Sequence, residues 1–331
     1  MPNRFTPALS CAAWLAAGAA LAQPAPSPPT AKAAPSETVA PVTVVGIPPK
    51  MVREESKHFV TSHAKPPNPE LNQFGRWHDP VCVVVLGLPQ AEQAAAIKAR
   101  IEGVAEAVGL RVGKPDCRPD VEIVFNPKPQ HVMDIVARQR EYLLGYYHFH
   151  DRDRLKKVTR PIQSWYVTAT SSFGGSVAGQ VFEVGANHAA NRVLGVMDDP
   201  ENRTPGGCGE APHFTHCLQS RFDNVFIVAD SAVLDGKPLG AVADYMAMLT
   251  LTKPSSLDGC DALPSVIDEF ATSACADRDP PEGLTPADAA YLTALYKADL
   301  EAVRQFEESD ISDRMATILI SANAVAEKKA R

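Results

Sequence analysis

The sequence predicts an α+β (mixed α/β) fold: a central mixed sheet, one helix buried against it, and a helical C-terminal part, the whole stapled by disulfides. Three observations carry this. Val225-Phe-Ile-Val-Ala229 is an unbroken apolar run with β-branched residues and no Gly or Pro, as a strand in the middle of a sheet requires. Leu239–Leu251 is apolar almost all round, with Val242, Tyr245, Met246, Met248 and Leu249 spread about it, and a helix without a polar face is buried. From Val81 to Leu144, strand-like and helix-like segments alternate, the order expected of a sheet with helices laid on it.

Residues 1–22 read as a secretory signal peptide: Arg4, an Ala/Leu-rich run with Trp14, then Ala20-Leu21-Ala22 as an A-x-A cleavage site. Ser10-Cys11 faintly resembles a lipoprotein box, but the apolar run follows this Cys instead of preceding it. No later segment approaches the ~18 apolar residues of a membrane span. The net charge of −7 becomes −8 once Arg4 is removed. That balance argues against nucleic acid and anionic membrane surfaces as partners. The expected location is the periplasm or the exterior of a Gram-negative cell. Residues 23–70 hold 11 of the 29 prolines and read as an extended linker. Within it Val42-Thr-Val-Val45 alternates like a short strand, either an addition to a sheet edge or plain spacer.

A single globular domain is expected over residues 71–322, long enough for one substantial core. Val81–Leu86 reads as a buried strand. Leu88–Val108 follows as a helix, with Ala94, Ile97, Ile101, Val104 and Val108 at helical spacing and Gly109 as its C′ residue. Val121–Phe125 is the next strand, Val132–Leu144 the next helix, and Ser164–Thr170 a third strand. Residues 171–216 are a Gly-rich insertion, with a candidate strand at Gln180–Val184.

After Val225–Ala229 comes an Asp-rich loop with Asp230, Asp235 and Gly236, then the buried helix with its one charge, Asp244. A buried carboxylate must be paired or functional. Further on, Leu263–Asp268 starts a short helix. Thr285-Pro-Ala-Asp288 is an N-cap with Pro at N1 and an acid at N3, opening a helix to Tyr296. Asp299–Glu308 continues or restarts that helix, Asp310-Ile-Ser-Asp313 leads a last helix through Met315 and Ile318, and the end of residues 323–331 is a frayed tail.

Six of the seven cysteines lie beyond the signal peptide: Cys82, Cys117, Cys208, Cys217, Cys260 and Cys275. An even number in an exported chain implies disulfides. Spacing suggests that neighbours pair, 82 with 117, 208 with 217 and 260 with 275, each bridge contributing roughly 2–4 kcal/mol. Thiolate metal sites are the alternative, but no CxxC pair occurs.

Two sets of residues are candidates for chemistry. Asp230 and Asp235 with Asp244 form either a carboxylate group for acid/base work or a hard cation, or a capped loop beside a structurally bonded Asp. His148-Phe-His150 with His213-x-x-His216 offers ligands for zinc, or is a set of surface histidines. Ser171-Ser172 lacks a G-x-S-x-G frame, and no dinucleotide or Walker pattern occurs, so no cofactor is implied. The basic run Arg152, Arg154, Lys156, Lys157 and Arg160 reads as a solvated face or as a surface for an acidic polymer.

A resemblance adds to this. Arg76-Trp77 before Pro80-Val81-Cys82, Cys117-Arg-Pro-Asp120 before Val121–Phe125, Ala243-Asp244-Tyr245, Leu263-Pro264-Ser265, and Leu284-Thr285 to Tyr296 together resemble a family of secreted proteobacterial proteins. More distantly the chain is similar to bacterial lipoproteins with a zincin-like fold, in which a His-Glu-based motif lies on the equivalent helix. The resemblance implies a zincin-like core. In zincins His-Glu-x-x-His sets two imidazoles one turn apart on a metal. Here Ala243 and Ala247 occupy both ligand positions. The expectation is therefore a pseudoenzyme: a non-catalytic binding or structural domain of the cell envelope, with an envelope protein or ligand as partner. The alternative is a hydrolase using Asp244 with Asp230, or a His148/His150/His213/His216 metal site.

Overall fold

The computed structural model describes residues 47–66, 73–145, 153–172, 177–178, 218–258, 260–271, 279–300, 302 and 304–330. Residues 49–63, placed by the sequence in the linker, are a helix, α1 (Pro49–His63), with Pro49 at its first position. Val52, Ser56, Phe59, Val60 and His63 are its buried residues, spaced three and four apart as one helical stripe. The Pro-rich composition on either side conceals that stripe.

Next come β1 (Val83–Leu86), α2 (Ala91–Ala107) and β2 (Val121–Phe125), close to the expected bounds. Gly109 has φ +89°, as a C′ glycine should. α3 (Pro129–Gln139) passes into a 3-10 turn at Glu141–Leu144, so the single helix expected there is split. β3 (Ile162–Ser172), β4 (Val177–Ala178) and β5 (Leu218–Ala229) follow, then a 3-10 turn at Ser231–Leu234. α4 (Leu239–Leu251) has the predicted bounds and is buried from Ala241 to Leu251.

A second 3-10 turn, Val266–Phe270, carries a reciprocal cap between Ser265 and Asp268. α5 (Pro286–Lys297) opens on the predicted Thr285/Asp288 box. α6 (Arg304–Ala330) joins the end of the Asp299–Glu308 segment and the last helix, expected as separate pieces, and runs through the expected tail. Glu307, Ile311, Met315 and Leu319 recur every four residues on its buried side, which holds the early turns in the core.

The sheet order is β1-β2-β5-β3-β4. β1, β2 and β5 are parallel, and β3 is antiparallel to both β5 and β4, so the sheet is mixed as predicted. Alternation assigns the faces. Val121, Ile123 and Phe125 of β2 and Val225, Ile227 and Ala229 of β5 join one core with α1, α2, α4, α5 and α6. Phe226 and Val228 point the other way, with Trp165, against Met133 and Val136 of α3 and Leu143 and Leu144. Both faces of β5 are therefore covered, which is why its end reads as one apolar run.

Cys82 and Cys117 are bridged, as the spacing suggests. Cys260 is also disulfide-bonded. Cys208, Cys217 and Cys275, the candidate strand at Gln180–Val184 and the Val42–Val45 segment lie outside the described residues.

Candidate functional site

Asp244 is the residue on which the functional reading turns, and it is 2% exposed. Arg100 of α2 grips it at both oxygens, Nε to Oδ1 at 2.6 Å and Nη2 to Oδ2 at 2.9 Å. The Leu284 N–H donates to Oδ2 at 2.7 Å. Gly283 approaches so closely that a Cβ there would lie 2.8 Å from Oδ2. A bidentate guanidinium and a backbone N–H take three of the carboxylate's roughly four accepting directions. Nothing in the sequence singles out Arg100 from the other charges of α2, Glu92, Lys98, Glu102 and Glu106; its partner lies 144 residues away.

Asp230 accepts the Ala232 N–H at 3.0 Å and caps the 3-10 turn after β5; Asp235 closes the same turn through its own N–H to the Ala232 carbonyl. Among the described residues no hydrogen bond or ion pair joins either to Asp244, and Asp230 caps its loop as the second alternative has it. His148, His150, His213 and His216 lie outside the described residues. Within these residues no three His, Cys, Asp or Glu side chains gather as metal ligands, and no helix is long and apolar enough to cross a membrane. Of the basic run, Lys156 pairs with Glu141 at 3.2 Å and Arg160 with Asp258.

Folding also assembles groups that the sequence reading missed. Asp261 is buried. Its oxygens meet Ser62 Oγ, His58 Nδ1 at 2.6 Å and His63 Nδ1 at 3.4 Å. Ser, His and Asp thus meet, but not as a nucleophile and its base. His63 Nδ1 lies 2.9 Å from the Phe59 carbonyl, which can only accept, so this nitrogen carries the ring proton. It cannot then take a proton from Ser62, 3.0 Å away. Burial holds the His63 imidazole down at about 4, against the pull of Asp261, and its ring stacks on Phe59 at 3.8 Å. The cluster anchors the end of α1 to the 255–261 loop, where Ser255 Oγ also bonds the Thr61 carbonyl at 3.0 Å.

A second polar group lies where β5 crosses residues 76–79. Arg221 pairs with Asp79 at 2.9 Å and Asp223 at 3.4 Å, and the Cys82 N–H donates to Asp120 at 2.8 Å. Burial raises the Asp120 carboxyl to about 6, and it lowers His78, helped by Arg76 and Arg221. His78 Nε2, Arg221 Nε and Asn224 Oδ1 are buried without hydrogen-bond partners. Beneath them Arg76 and Glu307, each 2% exposed, form an ion pair that ties β5's neighbour segment to α6.

No family model, no curated protein and no solved structure matches this chain, so the zincin-like core that the resemblance implies has no support beyond the sequence itself.

Proposed function

We propose that this is an exported, disulfide-stapled envelope domain that works by binding a partner or ligand, without catalysis. The observation that carries the reading is the burial of Asp244 in a two-pronged ion pair with Arg100, with the Leu284 N–H as a third donor. A general base needs a lone pair within reach of a substrate proton, whereas this carboxylate is 2% exposed and gives three of its roughly four accepting directions to Arg100 and the Leu284 N–H. The signal-like start and the Cys82–Cys117 bridge support export. Ala243 and Ala247 stand where a zincin would carry its ligands, which supports the degenerate-scaffold version of this reading. The ion pair on Asp244 and the capping role of Asp230 support this reading over the hydrolase alternative.

The test is stability against chemistry. Asp244→Asn should lower stability by about 1–3 kcal/mol, because Arg100 loses its charge partner while the Leu284 N–H keeps an acceptor. A carboxylate kept for function at a cost in stability gives the reverse, a variant as stable as the parent or more so. That result, or one tightly held zinc per purified chain, would overturn the proposal.

A further inference from the structure

We propose that the edge of β1 that no described residue pairs beyond Val81 is a docking slot for the carboxy-terminal segment of a partner protein, added as an extended strand antiparallel to β1 and ending at Lys98. This rests on the binding reading above.

Among the described residues β1 is the terminal strand of the sheet. In an extended strand the N–H and C=O of one residue point the same way, and neighbours alternate. The Cys82 carbonyl accepts from Val121 at 3.1 Å, so even-numbered residues face β2. Val81 faces outward: its N–H donates to the Arg111 carbonyl at 2.9 Å and its C=O accepts from Gly113 at 2.8 Å. Val83 and Val85 therefore also turn their backbone groups outward. The outer strand that residue 112 begins is a single bridge, Val81 with Val112, and goes no further. Beside the remaining edge lies a groove of about 240 Å³, walled by Val84 and Val85, by Ala94 and Lys98 of α2, and by Pro115 and Pro119. The two small or N–H-free walls leave the Val85 backbone as the natural ladder partner.

The geometry selects a chain terminus. An incoming strand cannot run past Val83, because residues 111–113 occupy the next place. That block is fixed by the disulfide: a Cβ on Gly113 would lie 2.5 Å from Cys117 Sγ. At this dead end stands Lys98, whose Nζ donates to the Val83 carbonyl at 2.8 Å and faces Glu102 at 3.0 Å. An ammonium has three donors, so one remains for a carboxylate. A strand whose last residue sits by Val83 runs opposite to β1. Main-chain bonds supply the affinity in such strand addition, and the terminal charge supplies the stop.

The experiment uses the full mature chain and an array of fluorescein-labelled hexapeptides with alternating β-branched residues and free carboxy termini, read by anisotropy. Binding is expected with Kd on the order of 10–100 μM for the best sequences, and about tenfold weaker for the same peptides as carboxy-terminal amides or with Lys98→Met protein. Glu102→Gln, which removes the competitor for Lys98, should tighten it. Val85→Pro deletes the outward N–H, is compatible with an edge strand, and should abolish binding with the circular dichroism spectrum unchanged. If that variant fails to fold, the amide and Lys98→Met comparisons decide alone. The proposal is overturned if no peptide in the array binds below about 1 mM, a limit set by the affinity scale, or if free acids and amides bind alike. It is also overturned if Val85→Pro, folded, binds as well as the parent, or if the edge instead pairs two copies of the chain. A failed array with Asp244→Asn still destabilised sinks the slot and leaves the binding reading standing.

Discussion

Arg100 on α2 and Asp244 on α4 form a two-pronged ion pair that couples the helix between β1 and β2 to the helix buried against the sheet. The guanidinium side chain is 34% exposed while the carboxylate is 2% exposed. Water can therefore solvate the cation if the pair breaks, but not the anion. Arg100→Met should consequently cost more than Asp244→Asn. A double-mutant cycle measured by urea unfolding should return a coupling energy of about 1–2 kcal/mol. A coupling indistinguishable from zero would mean that the two side chains do not act as a unit.

The Cys82–Cys117 bridge closes a loop with a sequence separation of 35. Closing a loop of that size restricts the unfolded chain by about 4 kcal/mol. The double variant Cys82→Ala with Cys117→Ala should lose stability of this order. Gly113 sits against the same sulfur, so it should also show faster amide hydrogen exchange at residues 111–113. A peptide map of the native protein under non-reducing conditions should contain the 82–117 pair.

His63 sets an acid limit on stability. Its folded imidazole protonates only at about 4, because burial disfavours the cation, whereas the unfolded ring takes its proton near 6.5. Its contribution is complete above pH 6.5 and is lost as pH falls through the window from 6.5 to about 4, by up to about 3 kcal/mol. Glu307, Asp288 and Asp120 have carboxyls raised by burial, to about 7, 6 and 6, and act in the opposite direction over overlapping ranges. Comparison with His63→Phe, whose ring can still stack on Phe59, isolates the histidine. The variant should lose less melting temperature than the parent between pH 6.5 and 4. Parallel curves would remove His63 from the account.

Gly87 and Gly240 should respond to alanine with opposite signs. Gly87 has φ +85°, and a Cβ there would fall 2.0 Å from the Phe125 carbonyl oxygen. Gly87→Ala should cost at least about 3 kcal/mol, since both backbone strain and a backbone clash are involved. Gly240 lies in the first turn of α4 with nothing within 4 Å of the added atom. Gly240→Ala should be neutral or stabilising by about 0.5 kcal/mol, from the reduced freedom of the unfolded chain. Chemical denaturation of both variants checks the pair.

What could be read from residue order reflects how far each signal reaches along the chain. α4 and β2 have their predicted bounds because burial on all sides, or alternation over five residues, leaves its mark within a few neighbours. The Thr285/Asp288 cap was legible for the same reason, its two members being three residues apart. α1 was misread as linker although Val52, Phe59 and Val60 carry a helical stripe, because composition over 23–70 outweighed spacing within it.

The candidate site was legible only in part. The sequence alone established that Asp244 is the one charge on a buried helix, and hence that it must be paired or used, because burial of a bare charge is prohibitive. It also determined the alternating elements and the cysteine inventory. Only the tertiary structure decided between the alternatives, by bringing Arg100 and Leu284 to Asp244, Asp261 to His63, and Glu307 to Arg76 across 144, 40, 198 and 231 positions. Hydrophobic periodicity is a short-range property of the chain; the choice of a partner for a buried charge is made by packing, and packing joins residues without regard to their separation.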